Sequence, residues 1–221
     1  MKKVLTVCLM MMGIMMNAQE ERLIGDFDTV KVFDLINVTM IQATTNKIVI
    51  SGKNSDDVQV VQRDDILKIR MQLDEQFDGN DTQVTLYYVA IKEIDANEGA
   101  VIEFTDTIKQ DMLTVEAQEG ANIQGDVDVE ILEVRAVTGG IVELSGKAAN
   151  QDISVYTGGI VNNRALKSKN TDASVRAGGE VELYATDYVD LKTRAGGAIH
   201  VYGDPKEVDK SRILGGKIIM K

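Results

Sequence analysis

Apolar and polar residues alternate with period two along most of the chain from Phe27 onward. From Ile94 the alternation is punctuated by small-residue pairs: Gly99-Ala100, Gly120-Ala121, Gly139-Gly140, Gly158-Gly159, Gly178-Gly179, Gly196-Gly197 and Gly215-Gly216, in steps of 21, 19, 19, 20, 18 and 19 residues. A regular step of this size marks a repeat architecture, which decides the fold before any local assignment. Two residues after each pair stand Ile102, Ile123, Val142, Val161, Val181, Ile199 and Ile218. Five residues before it stand Ile94, Val115, Val134, Ile153, Ala173, Leu191 and Lys210. Period two on both sides of a corner predicts two strands per repeat, each with one buried face.

A strand, a sharp corner, a second strand and a short return in about 19 residues make one coil of a parallel β-helix. Seven coils spaced about 4.8 Å apart span roughly 29 Å. Glycine at the corner supplies an unusual φ and close backbone approach to the coils above and below. The handedness rule for parallel crossovers predicts a right-handed solenoid. Propeller blades and leucine-rich repeats have the wrong period or pattern, and no pair continues as the calcium-binding G-G-x-G-x-D nonapeptide. The segment before Ile94 holds strands such as "FDTVKVF", "NKIVISG" and "TQVTLYYVAI" without the register. It is expected to meander, to start the solenoid and to cover its first coil, while the last coil, "RILGGKIIMK", ends with no evident cap. The organisation is thus a single β-helical domain over 26–221, with N-terminal strands over 26–93 and regular coils over 94–221.

The first residues carry Lys2, Lys3 and a 13-residue apolar run from Val4 to Met16. This is the shape of a secretory signal over 1–18, too short for a spanning helix of roughly 20 residues. A short linker, 19–25, follows. Cys8, the chain's one cysteine, lies inside the signal, so the exported chain has neither disulfide nor thiol nucleophile. Removing Lys2 and Lys3 takes the formal net charge from −11 to −13. That argues against nucleic acid and anionic lipid as partners.

Taken in order, "FDTVKV", "VTMIQA", "NKIVISG", "LKIRM" and "VTLYYVAIKEIDANEGAVIEF" leading into repeated GG-x-[VI] coils resemble the auto-transporter adhesin head family, or GIN domain, of exported Gram-negative proteins. The resemblance covers nearly all of the chain after the signal. It implies a β-helical surface, outer-membrane-associated or periplasmic protein that adheres or handles polymer, and it implies no catalytic residue.

A solenoid would place a site on its outward columns. Tyr156, Arg176 and Arg194 fall in one such column, two residues before the glycine pair. Across the corner lie Glu143, Glu180, Glu182 and His200, with Tyr184 and Tyr202 at matching places in consecutive coils. Tyrosines beside arginines and carboxylates suit a groove for an acidic sugar polymer, the rings stacking and the charges hydrogen-bonding. The plainer reading is a solvated face. The corner glycines Gly139, Gly140, Gly158, Gly159, Gly178, Gly179, Gly196, Gly197, Gly215 and Gly216 are structural. No cofactor is implied. Asp126 with Asp128, and Glu180 with Glu182, have a spacing that could hold Ca²⁺, at the weak end of its affinity range. The "DGND" at Asp78–Asp81 reads as a hairpin turn. Three functions therefore remain open: a non-enzymatic adhesin-like or carbohydrate-binding module, a polysaccharide-lyase-like enzyme, and an assembly module that oligomerises through its C-terminal coil.

Overall fold

The computed structural model describes residues 20–221; the predicted signal and Cys8 lie outside them. The protein is 68% strand and 3% helix, arranged as a β-solenoid of about seven turns. The regular coils begin with β8 (Glu93–Ala96) and β9 (Val101–Phe104) and continue through β10 (Ile108–Gln118), β11 (Asn122–Val137), β12 (Ile141–Tyr156), β13 (Ile160–Arg176) and β14 (Glu180–Arg194). They end with β15 (Ala198–Tyr202), β16 (Glu207–Ile213) and β17 (Lys217–Met220). All these pairings are parallel, with like positions of successive coils in register, as in Ile123↔Val142 and Val142↔Val161.

The return is not a loop. β11 to β14 run unbroken from one corner to the next, and the return residues pair as well, as in Val127↔Gly146 and Val129↔Ala148. Each coil thus has three faces. The first precedes the glycine corner, the second follows it, and the third is the return. Val127, Val129, Leu132, Val134 and Ala136 of one coil all lie inside.

The corner separates the two tasks assigned to glycine. The residue before each pair and the first glycine both have positive φ, as at Thr138 (51°) and Gly139 (77°). Gly140 N donates to Val137 O at 3.0 Å, closing the turn. A Cβ on Gly139 would meet nothing within 4 Å, so only its backbone conformation calls for glycine. A Cβ on Gly140 would lie 2.0 Å from the Ala117 carbonyl oxygen of the preceding coil, so here the requirement is space.

Among the described residues seven strands precede the coils: β1 (Glu20–Leu23), β2 (Thr29–Val32), β3 (Asn37–Gln42), β4 (Lys47–Gly52), β5 (Val58–Arg63), β6 (Ile66–Met71) and β7 (Thr82–Tyr88). They start the solenoid, as expected. β2 and β3 stack in parallel on β8 and β9, and β6 and β7 stack in parallel below them, continuing the pile. Only β1, β4 and β5 add antiparallel strands at that end. The expected hairpin at Asp78–Asp81 is not one. β6 and β7 lie on different faces, and a 3₁₀ turn at Gly79–Asp81 helps join them, because Gly79 N is held by Asp34 O at 3.1 Å. The N-terminal corner uses no glycine. Asp34 and Leu35 take positive φ, and the buried Asp34 carboxylate accepts hydrogen bonds from Met71 N (3.0 Å) and Phe77 N (3.4 Å).

Candidate functional site

The coil step sets the position of every outward side chain, so residues one coil apart in sequence become neighbours in columns. The predicted residues separate into two strips on either side of the glycine corner.

On the first face, Tyr156, Arg176 and Arg194 stand in consecutive coils, as their spacing predicts. The Tyr156 ring lies between two guanidinium groups, Arg135 at 5.8 Å and Arg176 at 5.4 Å from its centroid. The ring face attracts both cations. Four columns' width away along the same strands runs a ladder of carboxylates that the column two residues before each pair does not disclose: Glu133, Asp152, Asp172, Asp190 and Asp209 pair in register through five coils. They recur six residues before each glycine pair, and that spacing was available in the sequence. Burial, then Asp172 and Glu133, push the Asp152 carboxyl above its usual range. Lys192 answers the ladder, with Asp190 holding its ammonium 2.5 Å away and raising its pKa. This face carries two small hollows, of 240 and 250 Å³.

The second strip lies across the corner. Glu180 Oε1 is 3.3 Å from His200 Nε2, and Tyr202 Oη donates to Glu182 Oε1 at 3.2 Å. Burial, then that hydrogen bond, raises the Tyr202 pKa. His200 Nδ1 is enclosed and has no hydrogen-bond partner. Tyr184 pairs in register with Tyr202. Arg164 stacks over the Tyr202 ring at 4.4 Å from its centroid.

Arg164 also forms a wall of an open groove of about 750 Å³ running across four coils. Its floor is the column Glu103, Gln124, Glu143, Asn162, paired in register, beside Asp126 and Ser145, which are joined by a 2.9 Å hydrogen bond. Two local features shape it. Phe104 packs against Gly125 of the next coil, whose Cβ would come within 2.1 Å of the ring. The β13 strand carries extra length between Asn163 and Lys167, where its register with β14 shifts, and this throws out Arg164 and Ala165. The 20-residue step between Gly158 and Gly178 is the sequence trace of that bulge. Inside it, the buried Asn163 hydrogen-bonds Gln151 (3.0 Å) and caps Leu144 N (3.2 Å), while Ser168 and Thr171 share a 2.7 Å contact. The polar chain inside the coil holds the bulge in one conformation.

The two carboxylate pairs with calcium spacing are engaged by protein groups. Asp126 accepts from Ser145, Asp128 pairs with Lys147 at 3.2 Å, Glu180 faces His200, and Glu182 takes the Tyr202 hydroxyl. Among the described residues no group of three or more potential ligands is placed to hold a metal ion. No helix of the described residues is long and apolar enough to cross a membrane.

Comparison with known proteins agrees with this architecture. The family model described as "Putative auto-transporter adhesin, head GIN domain" matches residues 26–205. A crystal structure of a putative adhesin from Bacteroides fragilis superposes with a TM-score of 0.84 at 19% identity, covering 92% of this chain and 96% of that one. One described as a putative adhesin from Parabacteroides distasonis gives 0.67 at 16%, covering 92% and 96%. Another from Parabacteroides distasonis, described as a putative lipid binding protein, gives 0.66 at 16%, covering 92% and 97%. At these identities the likeness is one of fold. No curated protein matches the chain.

Proposed function

The chain belongs to the auto-transporter adhesin head (GIN domain) family, and from that premise we propose that it is an exported, non-enzymatic adhesin-like module that binds a neutral, hydroxyl-rich polysaccharide along its second face. The observation that carries this reading is the groove of about 750 Å³ floored by the Glu103–Gln124–Glu143–Asn162 column. Amide and carboxylate groups repeat there at the coil spacing of about 4.8 Å, close to the length of one pyranose unit. Such a ladder offers each sugar in turn an acceptor or donor for its hydroxyls. Arg164 and Tyr202 add a stacked cation and ring at one end, suited to a sugar's apolar face.

Charge selects the class of polymer. Three carboxylates, Glu103, Asp126 and Glu143, line the groove against one cation, Arg164. The arginines of the first face, which suggested an acidic polymer, stand beside five stacked carboxylates. An anionic chain would meet repulsion at both strips.

The test is retention of the protein on a panel of neutral and acidic polysaccharides, with soluble products assayed in parallel. The expected result is retention on a neutral polymer with no new reducing or unsaturated ends. Retention on acidic polymers alone would refute the assigned class, and released products would refute the non-enzymatic reading.

A further inference from the structure

The two ends of the pile differ in charge, and their matching edges carry apolar tips. At one end the β6 and β7 strands are joined by a loop over 72–81, at the same prism edge as the glycine corners. Asp74, Glu75, Asp78 and Asp81 are exposed on it, with no ion pair among the described residues, and no basic residue lies between them. Leu73 and Phe77 project from the same loop, 71% and 57% exposed. At the other end the final corner, between β16 and β17, presents Ile213 and Leu214, 53% and 81% exposed. At the other six glycine pairs the residue aligned with Leu214 is Glu, Thr or Ala.

The last coil is basic in a chain of net charge −11. Lys210, Arg212, Lys217 and Lys221 are all exposed and hold no ion pair among the described residues. Lys206 and Asp209 are engaged by Asp187 and Tyr188. Lys210 and Arg212 occupy columns that are buried one coil earlier, where they pair with Leu191 and Thr193. Inward charges on an edge strand ordinarily block indiscriminate pairing. Here the opposite end of the same molecule offers carboxylates and an apolar tip at the same prism edge. Each end also has strands partnered on one side only: β16 and β17 above, β5 and β1 below.

We infer that the basic C-terminal coil is a docking surface for the acidic 72–81 loop end of a second copy of this chain. The contact is head-to-tail. Leu214 and Ile213 of one copy meet Phe77 and Leu73 of the next, and Lys210 and Arg212 meet Asp74 and Glu75. A contact between two different patches leaves each copy with a free end, and with the patches at opposite ends of the pile the product is a row of solenoids rather than a symmetric dimer. Opposite charges fix the orientation and make the association salt-dependent. This inference is independent of the groove and of its polysaccharide.

The experiment is sedimentation velocity of the purified protein across a concentration series at low and high salt, with two charge-reversed variants, K210E/R212E and D74K/E75K. All four positions are exposed, and circular dichroism checks that each variant keeps the native fold. The wild type should form concentration-dependent oligomers at low salt that dissociate at high salt. Each variant alone should sediment as a monomer, with self-association weakened at least about tenfold. Mixed, the two should associate again, because each supplies the end the other needs. A monomeric wild type throughout the series would overturn the inference. So would D74K/E75K associating like the wild type, which would mean that two C-terminal coils meet each other, or a mixture that stays monomeric.

Discussion

The N-terminal strands and the regular coils make the same corner by different chemistry. In the coils, a residue at positive φ and a glycine form a tight turn, and a second small residue lets the next coil lie close. At the N-terminal corner Asp34 and Leu35 take the positive φ instead, and the Asp34 carboxylate ties down two backbone N–H groups from the neighbouring loop. One solution is repeated and visible as a pattern. The other occurs once and depends on a long-range hydrogen bond. A solenoid can therefore begin in a segment with no repeat, provided that a buried polar side chain does what glycine does elsewhere.

This comparison can be broken at several points. The largest expected effect is that of Phe104→Ala, where the first coils meet the groove. Removing a ring that packs against Gly125 leaves a void and should cost about 3–5 kcal/mol in chemical denaturation. Asp34→Ala leaves Met71 N and Phe77 N without their acceptor and should cost about 1–3 kcal/mol. A negligible effect there would mean that the loop, not the carboxylate, sets the corner. The two glycines of one coil should separate. Gly140→Ala forces a Cβ against the Ala117 carbonyl and should cost about 2–3 kcal/mol, against about 1 kcal/mol for Gly139→Ala, where only φ is penalised. Equal losses would erase the division of labour between them.

The smallest effect concerns the carboxylate ladder and has a definite sign. The Asp152 pKa is raised in the folded state, so folding holds its proton more tightly than the unfolded chain does. Its stabilising contribution is fully present below the ordinary value of 3.8 and is lost as pH rises through the raised one. Asp152→Asn should therefore stabilise the protein at pH 7, by well under ~1 kcal/mol for a carboxyl that stays partly in solvent, and should change nothing near pH 3. Thermal melts at the two pH values read the difference.

Much of the solenoid was legible because its cause is local and periodic. Glycine pairs at 18–21-residue steps announce the corners, and the flanking Val and Ile columns announce the core. The columns of Tyr156, Arg176 and Arg194, and of Glu182 and His200, followed from that register. The groove did not. Its wall comes from one extra residue in one coil, held by Asn163, Gln151 and Thr171, and an inserted residue shows in the sequence only as a step of 20 where 19 is usual. That the N-terminal strands start the solenoid was legible, but their register was not. β2 pairs with β8 across 64 positions, and no period links Val30 to Ile94. The acidic ladder could have been read by following the column six residues before each pair.

The most direct measurement is equilibrium binding of a retained neutral oligosaccharide by calorimetry, comparing one variant from each strip. Groove binding predicts that Arg164→Ala with Asn162→Ala weakens affinity at least about tenfold, or 1.4 kcal/mol, while Arg176→Ala with Arg194→Ala leaves it unchanged. If the arginine pair of the first face proves essential and the groove variants bind like the wild type, the ligand lies on the other side of the glycine corner and the groove is not the site.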